Sequence, residues 1–162
     1  MKFTIATIAA LVASLSFTTA AEFKAPNGGR IIESVEPHAE FLLTKDKKIE
    51  IRFLDDTGKV VAPAAQTASV IMGDRSAPTK LAFTKDGDKL ISDKVVAEGD
   101  NLPVVLTLKT TPDAKAVTAK FNLNLSKCPE CKLTEYACAC DHAKKGDGHE
   151  GHDHKPGEKH EH

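Results

Sequence analysis

The sequence predicts an all-β protein, a single immunoglobulin-like antiparallel β-sandwich, followed by a disordered Cys/His-rich C-terminal tail. Three observations lead there. Between Ala25 and Lys127 apolar residues recur at every second position, the period of a pleated strand with one buried face. Residues that tolerate tight or left-handed backbone separate these runs. No segment carries a sustained helical stripe. Short strands with frequent turn signals indicate a sandwich first and a small barrel second. The chain has no Trp and no Cys before Cys128, so the Cys–Trp–Cys core of antibody domains is absent and aliphatic packing must hold the fold.

The first element, residues 1–21, reads as a secretory signal peptide. Met1–Lys2 supplies a positive start, Thr4 to Phe17 is almost unbroken apolar or small residues, and Thr18-Thr19-Ala20-Ala21 offers a cleavage site. The apolar run is shorter than the roughly 20 residues that span a bilayer, and an N-terminal anchor helix is the alternative. The mature chain is then expected to be periplasmic or secreted, with no membrane span.

The sandwich is assigned to residues 22–127. Ala39, Phe41 and Leu43 share one face, with His38 and Glu40 expected to point outward together. Lys48 to Phe53 alternates, with Ile49, Ile51 and Phe53 inward and three charges outward. Ala68, Val70 and Met72 repeat the pattern, as do Leu81 with Phe83, and Val104, Leu106 and Leu108. The longest run is Val117, Ala119, Phe121, Leu123 and Leu125. Asp55-Asp56-Thr57-Gly58, Asp86-Gly87, Gly99-Asp100-Asn101 and Pro112-Asp113 mark the turns.

At Lys127 the character changes. Residues 128–142 hold all four cysteines, and residues 143–162 form a polar His-rich tail expected to be disordered without a ligand. Cys128, Cys131, Cys138 and Cys140, followed by His142, can close a tetrahedral shell of the kind zinc takes, and thiolates equally suit Cu(I). Binding would fold the short loop around the ion. Cys138, Cys140 and His142 alternate, so extended chain points them the same way. In an exported protein the same four cysteines could instead form two disulfides, in any of three pairings. A redox-active Cys-x-x-Cys is the third reading, weakened by the absence of a βαβ context.

The tail places His149, His152 and His154, then His160 and His162, among Asp, Glu and Gly. Neutral imidazole binds zinc, nickel or Cu(II), and such tracts are a compositional sign of metal binding. A plain solvated tail and an expression tag are the alternatives. His38, near Glu33 and Glu40, is either a solvated strand residue or a further ligand.

The stretch Ala25-Pro26-Asn27-Gly28-Gly29-Arg30-Ile31-Ile32-Glu33, then His38-Ala39-Glu40-Phe41, then Ile51 to Val60 with its Gly58-Lys59 turn, resembles a known element. It is similar to small periplasmic metal-binding proteins and to the N-terminal element of heavy-metal efflux adaptor subunits of the resistance-nodulation-division type. The resemblance covers about Ala25 to Val61. It implies a periplasmic metal-handling context, an efflux component as partner, and His38 as a ligand. The chain has no coiled-coil hairpin or lipoyl-like segment, which sets it apart from the adaptors themselves.

A net charge of -1 argues against nucleic-acid binding. Residues 22–127 offer no Ser/His/Asp set or phosphate loop, so catalysis is not expected. The leading expectation is a periplasmic protein that sequesters or delivers copper or zinc. The alternative is a disulfide-stapled interaction module of the envelope with incidental metal affinity.

Overall fold

The computed structural model describes residues 24–140. Residues 1–21, expected to be a signal peptide, and His142, His149, His152, His154, His160 and His162 lie outside these residues. Among the described residues nine strands form in chain order: β1 (Arg30–Ile32), β2 (His38–Leu43), β3 (Ile49–Leu54), β4 (Val60–Val61), β5 (Thr67–Met72), β6 (Thr79–Asp86), β7 (Lys89–Ser92), β8 (Asn101–Lys109) and β9 (Val117–Asn124). A 3-10 turn, Glu135–Ala137, follows. None of the described residues forms a helix long and apolar enough to cross a membrane.

All pairings are antiparallel, in the spatial order β1-β2-β3-β7-β6-β5-β8-β9, with β4 also on β3. The path is continuous because β6 serves two neighbours. Thr79 to Ala82 pair with β5, and Phe83 to Asp86 pair with β7. Between β6 and β7 the register closes on Asp86 opposite Lys89, and Gly87 takes the left-handed conformation that this tight turn demands (φ 60°). An all-β antiparallel fold is what the alternation predicted. Its continuous, curling path brings it nearer a barrel than two independent sheets.

The period-two pattern translates directly into burial. Phe41, Ile49, Ile51, Phe53, Val70, Met72, Leu81, Val104, Leu106, Leu108, Phe121 and Leu123 join one core, with Leu43, Phe83, Val117, Ala119 and Leu125 packed at its margin. Phe41 and Phe121 meet edge to face at 5.0 Å, so β2 and β9, far apart along the hydrogen-bonded path, touch across the interior.

Two outward positions differ from expectation. Glu40 is fully buried rather than solvent-facing. The loop before β1 folds over it: the Asn27 and Gly29 backbone N–H groups each donate to Oε1 at 2.9 Å, and the Asn27 side-chain amide donates to Oε2 at 2.7 Å. A carboxylate that accepts three such bonds tolerates burial. Gly29 has to be glycine, because an added Cβ would lie 2.9 Å from Glu40 Cγ and press on the Phe41 backbone. Glu50 is also buried, covered by Arg52 at 2.8 Å and Lys89 at 3.5 Å.

The segment after β9 closes the body. Glu135 N–H donates to the Ser126 carbonyl, and Lys127 bridges Thr134, so residues 126–135 double back as a short turn. The 3-10 turn beyond it touches both β1 and β9, the two ends of the strand path. Tyr136 is buried there, its ring 6.1 Å from that of Phe41. Its hydroxyl accepts the Leu43 N–H at 3.2 Å, and its carbonyl accepts from Arg30 at 3.4 Å. The Arg30 guanidinium also lies 4.8 Å over the Phe121 ring, linking β1 to β9. The Cys-bearing segment is therefore part of the same core as the strands: Tyr136 and Ala137 belong to it.

Candidate metal centre

Local backbone explains how the first two cysteines meet. Cys128 is pinned on both sides, its N–H donating to the Leu133 carbonyl at 2.8 Å and its carbonyl accepting the Lys132 N–H at 3.1 Å. Lys132 adopts a left-handed conformation (φ 64°) that turns the chain sharply after Cys131. The Cys131 N–H then donates to Cys128 Sγ at 3.5 Å. The second pair arrives on the other side of the 3-10 turn. Cys138 N–H bonds the Glu135 carbonyl, and Cys140 N–H donates to Cys138 Sγ at 3.4 Å.

The four sulfur atoms all lie within 4.8 Å of one another. Cys138 Sγ is 3.4 Å from Cys128 Sγ and 3.6 Å from Cys131 Sγ. Four sulfurs about 2.3 Å from a central ion sit about 3.8 Å apart in a regular tetrahedron. The two short spacings are near that edge length, and both exceed the about 2.05 Å of a disulfide. A thiophilic ion fits the donor set.

Electrostatics favour an ion here as well. The Cys131 N–H, aided by that of Glu130, draws the Cys128 thiol down to about 6 against the effect of its burial. Burial pushes the Cys138 thiol up. The Cys140 thiol is pushed up first by its hydrogen bond with Cys138 and then by burial. Without a cation, Cys128 gives up its proton readily while Cys138 and Cys140 hold theirs, since further negative charge would crowd a small volume. A cation held by the four sulfurs would remove that conflict and displace the thiol protons.

His38 is not part of this group. It stands at the start of β2, with Nδ1 3.0 Å from the Val35 carbonyl and 3.8 Å from Glu36 Oε2. Glu40, its expected neighbour, is engaged by Asn27 and Gly29. Sequence reasoning missed the residues that seat the cluster: Arg30, Leu43 and Tyr136. One signal was available, because the only tyrosine of the chain lies between the two cysteine pairs.

Compared with protein-family models, curated proteins and solved structures, the chain matches none.

Proposed function

We propose that this is a metal-binding protein of the cell envelope that holds a copper or zinc ion in the four-cysteine centre and sequesters or delivers it. One observation carries the reading: four sulfurs converge within 4.8 Å on a segment anchored to the core. A closed tetrahedral set of four thiolates favours zinc, with Cu(I) the soft alternative. The signal-like N-terminus supports export to the periplasm or beyond. The resemblance of Ala25 to Val61 to efflux-associated elements supports a heavy-metal context, with an efflux component as partner. In this reading the all-β body, whether described as an open barrel or as an immunoglobulin-like sandwich sharing β6, is a rigid carrier, and binding rather than catalysis is its task. The tail histidines act as a loose capture arm, and His38 is at most an auxiliary ligand.

Native mass spectrometry of the protein, exported in its host and purified without chelator, tests this directly. Retained zinc or copper with four reduced cysteines is the expected result. A metal-free mass with two disulfides would instead favour a stapled interaction module.

A further inference from the structure

The four ligands are not equivalent. Cys128 is fully buried and Cys138 is 7% exposed, whereas Cys131 is exposed and Cys140 half-exposed. The buried pair is also the pair whose sulfurs accept backbone N–H groups. Moving Cys128 would break its bonds to Leu133 and Lys132, and moving Cys138 would pull on Ala137 and Tyr136 in the core. Cys131, by contrast, stands on a continuously exposed ledge, Pro129 to Leu133, and Ala139 beside Cys140 is exposed too. Both outer cysteines are thus more open to solvent than the buried pair, on a surface that carries Lys132 and the exposed apolar Leu133.

We infer that Cys131 and Cys140 form an exchange face, through which the ion passes to a partner bearing a pair of thiols. This rests on the metal-centre reading and adds its direction and partner chemistry. A partner thiol approaches the ion from the ledge side. A metal–sulfur bond to the partner forms as the bond to Cys131 breaks, and the partner's thiol proton moves to the Cys131 sulfur. Cys140 is displaced next in the same way. No electrons are exchanged. Cys128 and Cys138 hold the ion until the partner owns two bonds; their own bonds then break, both sulfurs take up protons from water, and the ion leaves with the partner without being released free.

The test uses the full chain loaded with one equivalent of cadmium. The thiolate-to-cadmium charge-transfer band, which histidine does not produce, first establishes that the ion sits on sulfur. The loaded protein is then mixed with a short Cys-x-x-Cys peptide at several concentrations, and native mass spectrometry follows the ion on each partner. The transfer rate is expected to rise in proportion to peptide concentration. Iodoacetamide mapping of the loaded wild-type protein is expected to modify Cys131 and Cys140 at least tenfold faster than Cys128 and Cys138. A transfer rate independent of peptide concentration, or earliest labelling at Cys128 or Cys138, overturns the exchange face and leaves the metal centre standing. Absence of the charge-transfer band overturns the metal centre and the exchange face together.

Discussion

Tyr136 is where the cysteine-bearing segment and the strand core meet, so replacing it measures how firmly the two are joined. In Tyr136→Phe the ring stays against Phe41, but the Leu43 N–H loses the acceptor it reaches at 3.2 Å. An unpaired, partly buried N–H costs about 1–2 kcal/mol. In Tyr136→Ala the ring goes too, and truncating a buried aromatic costs about 3–5 kcal/mol. At roughly 4 °C per kcal/mol for a body of this size, the melting temperature should fall by about 4–8 °C in the first variant and about 12–20 °C in the second. Thermal unfolding followed by circular dichroism, with chelator present, reads both.

The same variants carry a second consequence, in metal affinity. Tyr136 lies two residues from Cys138 and holds the turn that positions it. Tyr136→Ala should therefore weaken metal binding at least tenfold, while Tyr136→Phe changes it little. A Tyr136→Ala protein that melts within about 2 °C of wild type and binds metal unchanged would refute the claim that this segment is packed into the core.

The remaining predictions concern charge and the loop over β2. Burial holds the Tyr136 proton above its ordinary range; the unfolded chain releases that proton above pH about 10 while the folded chain keeps it. Its contribution is complete below that pH and lost above it, and the difference in alkaline melts should vanish in Tyr136→Phe. Cys128 is drawn down to about 6 in the metal-free cluster, so its thiolate persists at neutral pH and is lost as pH falls through that value; the ultraviolet thiolate absorbance of the reduced, metal-free protein should fall through that pH, and Cys128→Ser should remove the step. Glu40→Ala strands three donors from Asn27 and Gly29, and denaturant titration should show a loss of about 2–4 kcal/mol, with Glu40→Gln intermediate.

Much of this molecule was legible because alternation is a physical consequence of the pleat. Ile49, Ile51 and Phe53, or Val104, Leu106 and Leu108, could hardly be read otherwise, and all are buried. Glu40 shows where that rule stops. Alternation tells which face a residue takes, not whether a loop thirteen residues earlier will cover it. The cysteine cluster was legible from spacing, but its seat was not. The contacts from Tyr136 to Leu43 and Arg30 span 93 and 106 residues of chain, and no local pattern announces them. The curl of the sheet was equally hidden, since it depends on β6 dividing its two halves between β5 and β7.

The most direct test of the metal centre is a cobalt(II) titration of the reduced protein, read in the visible spectrum. Intense d–d bands of tetrahedral four-sulfur coordination should grow to saturation at one equivalent and disappear in the variant with all four cysteines replaced by serine. Weak octahedral bands alone, or a spectrum that survives those replacements, would contradict a four-thiolate site.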